Sequence, residues 1–186
     1  VDVEGSGQNT TTINCACSAI NSAESSAVIS ATNVTAEIRH LTINNTGVAL
    51  DPDDPDANDT STGVWTGNFG VADGSFSMLH VTATATTGGT WGYGVFNSSS
   101  SPSMTNVTAT ATGGTGSYGV FNESSSPTMN NVTATGTDGR SSVGVENFLS
   151  SSPSMNNVTA TATTGGNFSY GVSNSESSSP SMNNVT

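Results

Sequence analysis

The six residues Val107-Thr108-Ala109-Thr110-Ala111-Thr112 alternate apolar and polar without a break. On an extended strand that spacing puts Val107, Ala109 and Ala111 on one face and three threonines on the other, the signature of a half-buried strand. Gly113-Gly114 then turns the chain into Tyr118-Gly119-Val120-Phe121-Asn122, where Tyr118, Val120 and Asn122 are predicted to share the inner face. Matching positions read Tyr93, Val95 and Asn97, then Val143, Val145 and Asn147, then Tyr170, Val172 and Asn174. The position before each Asn varies as Phe96, Phe121, Glu146 and Ser173, as expected of a side chain pointing at water. No 3.6-residue apolar period appears, and strong helix formers other than Ala are scarce, so helical repeats are excluded.

The pattern returns at a fixed interval. All five methionines (Met78, Met104, Met129, Met155, Met182) fall in one slot, spaced 26, 25, 26 and 27 residues apart. Four of the six prolines (Pro102, Pro127, Pro153, Pro180) lie two residues before a methionine, in a Ser-rich corner. A repeat of roughly 25 residues holding two or three short strands is the size of one coil of a parallel β-helix. Earlier residues fit in eroded form: Phe69 to Asp73 in the Tyr-Gly-Val slot, Leu41 to Asn44 in the Val-Thr-Ala-Thr slot, and Thr12-Ile13-Asn14 as the start of an earlier coil. The expectation is an all-β solenoid of about seven coils of ~26 residues, forming one continuous domain. Residues 1–47 are degenerate coils, 48–63 an acidic loop insertion and 64–186 the regular repeats.

Composition narrows the function classes. At 32% hydrophobic residues the chain is poor in the material for one thick core, which suits a slender architecture. Only Arg39 and Arg140 carry positive charge, against a net charge of -12, so a basic patch for nucleic acid or anionic lipid is excluded. No apolar run approaches the ~20 residues of a membrane-spanning helix, and membrane insertion is not expected. Val1 is neither an initiator Met nor the start of a signal-like segment, so the chain reads as processed. Val1 to Glu4 alternates like a strand, and Val185-Thr186 stops within the segment that earlier coils complete as VTATAT. With no cap visible at either end, end-to-end or lateral assembly into a homopolymer is expected.

The recurring phrase YGV-x-N-x-SSSP-x-M-x-NVTATA resembles repetitive right-handed parallel β-helix proteins of the pectate-lyase-like superfamily, in particular surface proteins of bacteria and archaea. The likeness is close over residues 64–186 and looser over 1–47, where AEIRHLTINNTG carries it. It implies a single-stranded, right-handed coil with inward asparagine ladders at Asn97, Asn122, Asn147 and Asn174. Relatives that cleave acidic polysaccharides use a basic residue with calcium, or clustered aspartates. Here there is no lysine, Arg39 and Arg140 lie in different coils, and no rung stands out chemically, so no catalytic residue is assigned. His40 and His80 read as surface or ladder residues, His80 standing where later coils have Asn106, Asn131, Asn157 and Asn184.

Four features carry candidate chemistry. Asp51, Asp53, Asp54, Asp56 and Asp59 crowd into nine positions, which is either a calcium site without EF-hand spacing or a solvated acidic loop; no other cofactor is required. Asn58, Asn167, Asn9 and Asn33 lead the eleven Asn-x-Ser/Thr sequons as glycosylation sites. Cys15 and Cys17 share a strand face, either as packed thiols or as bonds to another chain. Stacked threonines such as Thr108, Thr133 and Thr159 make a grid that resembles ice-binding solenoids.

The leading expectation is a non-catalytic structural or adhesive component of a microbial extracellular surface, partnered with itself. The alternative is a module that binds or cleaves carbohydrate, using Trp65, Trp91 and Phe96 as stacking platforms.

Overall fold

A computed structural model describes residues 2–7, 9–15, 25–32, 35–46, 60–67, 76–86, 90–163 and 166–186. Among these the chain forms β1 (Val3–Glu4), β2 (Thr12–Cys15), β3 (Ser25–Thr32), β4 (Ala36–Asn45), β5 (Thr60–Gly67), β6 (Phe76–Thr86) and β7 (Trp91–Ser98). The regular half continues with β8 (Ser103–Thr112), β9 (Gly116–Glu123), β10 (Thr128–Thr137), β11 (Ser141–Phe148), β12 (Ser154–Thr163), β13 (Phe168–Asn174) and β14 (Ser181–Val185). The even-numbered strands together with β1 make one parallel sheet, A; the odd-numbered strands from β3 onward make a second, B. From β3 onward the chain alternates between the sheets and each strand pairs with those two places away, which is the winding of a parallel β-solenoid.

Register is exact in composition as well as count. Met104 pairs Met129 and Met129 pairs Met155, while Val120 pairs Val145 and Val145 pairs Val172. A one-residue slip would carry every inner side chain to the solvent face, so the nearly constant coil length and the alternation lock each other. The interior is a stack of like residues: Met78, Met104, Met129 and Met155, Val81, Val107, Val132 and Val158, Ala83, Ala109, Ala134 and Ala160, all buried. Methionine fills irregular space between the sheets, and the alanine row lets them approach.

Each regular strand of sheet A bends at one residue in the left-handed region. His40, His80, Asn106, Asn131, Asn157 and Asn184 hold φ between 52° and 54°, and the pairing skips them. Asparagine tolerates this conformation better than most residues. The bend lets Met104 and Val107, three residues apart, both face inward, with Thr105 and Asn106 between them at the surface.

The Ser-Pro corners, almost without apolar groups, are ordered by hydrogen bonds from coil to coil. Ser125 Oγ donates to Asn97 O, and Ser151 Oγ to Asn122 O, each at 3.0 Å. The same hydroxyls accept from the preceding coil, Ser100 N and Ser125 N donating at 3.0 Å. Ser125 and Ser151 are thereby buried with their polar atoms paired.

Three expectations change. The turns number about five rather than seven. Both β1 and β2 pair with β4, Val3 opposite Ile38 and Thr12 opposite Thr42, so together they supply one rung interrupted at the corner where His40 bends β4. The slot assigned to Phe69–Asp73 is held by Thr62, Gly63 and Val64, whose ends Thr62 and Val64 pair Tyr93 and Val95. Tyr118 is not inside. In β9 the buried positions are Gly116, Ser117, Gly119, Val120 and Asn122, with Tyr118 and Phe121 on the outer face. The cause is Gly119, which the pairing skips. A Cβ there would stand 2.7 Å from Gly144 O and 2.8 Å from Ala134 C, inside the backbone of neighbouring strands. Glycine thus faces inward where a side chain cannot, and the alternation shifts phase across it.

Candidate binding face

The outward turn of the tyrosines builds an aromatic surface on sheet B. Tyr93 stacks on Tyr118 one coil away with ring centroids 5.4 Å apart and planes 25° apart. Tyr93 also stacks on Phe96 at 4.9 Å, and Phe121 meets Tyr118 edge-on at 5.1 Å and Phe96 at 5.4 Å. Trp91 lies over Gly116, which has no side chain to displace it, and reaches Tyr118 at 6.0 Å. These separations lie in the range where aromatic pairs attract beyond their buried area.

The surface is interrupted at β11. Val143 stands where β9 and β13 have Tyr118 and Tyr170, and Glu146 where β9 has Phe121. Beside this break is a groove of about 420 Å³ lined by Trp91, Tyr93, Tyr118, Phe121, Glu146, Phe148 and Ser175. Glu146 accepts a hydrogen bond from Ser175 Oγ at 2.8 Å and makes no ion pair among the described residues. Burial first, then the Glu146 carboxylate, pushes the Tyr118 hydroxyl above its ordinary range. Burial, then Tyr118 and Glu123, pushes Tyr93 further in the same direction. The groove therefore joins aromatic faces to an electronegative field. A smaller cleft of about 300 Å³ beside Asp2, Glu37 and Phe76 is less open to chemistry, because Asp2 Oδ1 already accepts from Glu37 N.

Of the residues singled out in the sequence, Trp91 and Phe96 are in this aromatic surface, whereas for Trp65 only the backbone register is described, opposite Phe96. Asp51, Asp53, Asp54, Asp56, Asp59, Asn58, Asn33 and Cys17 lie outside the described residues. Asn9 and Asn167 are exposed. Cys15 is disulfide-bonded. Among the described residues no group of three His, Cys, Asp or Glu is placed to hold a metal ion.

The asparagine ladder is formed. Asn97 Nδ2 donates to Asn122 Oδ1, Asn122 to Asn147, and Asn147 to Asn174, at 2.8, 2.9 and 2.8 Å. A second ladder runs along the outer bend, from Asn184 to Asn157, Asn131 and Asn106, with Asn106 Nδ2 donating to His80 Nε2 at 2.9 Å. The His80 ring in turn stacks on His40 at 4.9 Å, so both histidines are ladder residues. The threonine grid of sheet A is in register, Thr108 opposite Thr82 and Thr133, and Thr163 Oγ1 donates to Thr137 Oγ1 at 2.7 Å.

The groove was not legible from alternation alone, which sent Tyr118 inward. Gly63, Gly94, Gly119, Gly144 and Gly171 hold one slot in successive coils, and that was the available signal of a phase change. No protein-family model, curated protein or solved structure matches this chain.

Proposed function

We propose that this β-solenoid is a non-catalytic structural or adhesive element of a microbial extracellular surface, a rod of the pectate-lyase-like kind that extends by stacking like rungs. The observation that carries the reading is the repetition of chemistry in register: methionine on methionine, threonine on threonine and asparagine on asparagine. A catalytic centre needs one rung unlike its neighbours in acid and base groups, and the described sheet A rungs from β8 to β12 differ mainly in Gly136 for Ala and Thr105 for Asn. Self-association belongs to the same reading. Met182 is 52% exposed where Met155 is 1% exposed, and a further rung in register, from a continuing chain or a second copy, would cover it. Glycans on the exposed Asn9 and Asn167 would suit the same surface setting.

Natively isolated material provides the test. Sedimentation and electron microscopy are expected to show rods or sheets heavier than one chain, and a reducing-sugar assay on acidic and neutral polysaccharides to show no turnover. A single monodisperse 18.6 kDa species would overturn the assembly part, and sugar release by the pure protein would overturn the non-catalytic part.

A further inference from the structure

The groove on sheet B is the place where the coil repeat fails chemically. Two coils in succession, β7 and β9, present a Tyr and a Phe on the outer face; β11 has a covered Val143 and an accessible Glu146 at those slots. The groove lies beside this break, with Trp91, Tyr93, Tyr118 and Phe121 of β7 and β9 on one side and Glu146 and Phe148 of β11 on the other. A group occupying it lies against the Tyr118 and Phe121 rings, within the ~6 Å over which an aromatic face attracts a cation. The volume, about 420 Å³, is that of a small-molecule site.

Charge decides the occupant. The lining holds aromatic faces and one carboxylate and contains no cationic residue. Glu146 has a neutral hydroxyl, Ser175 Oγ, as its hydrogen-bond partner. Glu123, held by Ser98 Oγ at 3.1 Å, adds a second carboxylate near Tyr93. An anion would meet this field unfavourably, and a neutral sugar would leave the carboxylate uncompensated. We infer that the groove between these rings and Glu146 is a binding site for a small organic cation bearing a quaternary ammonium group. Tyr118 and Phe121 supply the π faces, Trp91 and Phe148 the flanking walls, and Glu146 the counter-charge. A trimethylammonium group suits this setting better than a primary amine, since its methyl groups bury against the rings while its diffuse charge is attracted by them. This inference is independent of the structural role proposed above.

The experiment is calorimetric titration of the intact chain with choline, with 3,3-dimethylbutan-1-ol as the uncharged molecule of the same shape, and with cellobiose. Choline is expected to bind at one site and at least tenfold more tightly than the neutral analogue, with affinity falling as salt rises. Glu146→Gln, a conservative change at the surface, is expected to weaken choline at least fivefold. Tyr118→Leu, which removes a ring that lines the groove, is expected to weaken choline at least tenfold while the protein stays folded. No choline heat, equal binding of choline and dimethylbutanol, preferential binding of cellobiose, or a folded Tyr118→Leu variant that binds choline as tightly as the parent would each overturn the inference.

Discussion

Sheets A and B are wound from the same chain at the same period, yet their outer faces obey different rules. On sheet A the outer row repeats almost without change, Thr82, Thr108, Thr133 and Thr159 standing in register. On sheet B the corresponding outer row reads Phe96, Phe121, Glu146 and Ser173. Inside, the two sheets are equally strict, with valine opposite valine in both. Identity from coil to coil is therefore imposed by the interior, where a stack of like side chains must pack without voids or unpaired polar atoms. The outer face of B escapes that constraint, and there the rungs acquire individual chemistry.

Five changes would break or sharpen this contrast, and the first is the largest. Ala109→Asp is expected to cost more than about 4 kcal/mol, because it places an unpaired charge in a dry interior. Its neighbour Thr108→Asp, on the outer face of the same strand, should cost less than about 1 kcal/mol. Equal melting of the two variants in denaturant unfolding would dissolve the distinction between inside and outside. Gly119→Ala tests the phase shift of sheet B, since its methyl group would press on backbone that cannot retreat as a side chain would. A loss of about 2–3 kcal/mol is expected, and an unperturbed melting temperature would mean that the strands are not so closely apposed. Asn122→Ala removes the amide that accepts from Asn97 and donates to Asn147, and should cost roughly 1–3 kcal/mol by leaving buried polar atoms unpaired. Asn131→Gly cuts the outer ladder instead and keeps its left-handed backbone accessible. It should cost under about 1 kcal/mol, since the exposed partners turn to water.

The smallest effect is one of pH. Tyr93 and Tyr118, both on sheet B, have folded pKa values raised above the ordinary 10.0, Tyr93 mainly through burial. A raised value means that the folded protein holds the phenolic proton more tightly than the unfolded chain. The associated stability is complete below pH 10 and is lost as pH rises through the folded values. Thermal melts should be flat on approaching pH 10 from neutrality and fall above it, and Tyr118→Phe should fall less steeply. An unchanged slope in that variant would assign the loss elsewhere.

Much of this was readable from residue order alone. Period 2 in Val107 to Thr112 gave the facing of sheet A correctly, and the 25- to 27-residue methionine spacing gave the pairing partners, because in a solenoid the neighbour in space is the next repeat. Asn97, Asn122, Asn147 and Asn174 were placed as an inner ladder, and they form one. Sheet B was misread at Tyr118 because alternation assumes that every residue carries a side chain needing a face. Gly119 does not, and its inward position lets Ser117 and Val120 both be buried. The groove was hidden for a related reason: Glu146 looked like routine variation until the register put it beside the Tyr118 and Phe121 rings.

The two asparagine ladders point in opposite directions. Along the inner one each Nδ2 donates toward the later coil, and along the outer bend each donates toward the earlier coil. Every side-chain amide is a dipole, and in a row each polarises the next, most of all where the surroundings are apolar. The inner row builds a field with its positive end toward β13, and the outer row builds the reverse. A third row on the outer face, from Asn183 to Asn156 to Asn130, runs with the outer bend, so two water-exposed rows oppose one buried row and the two ends of the rod differ in polarity.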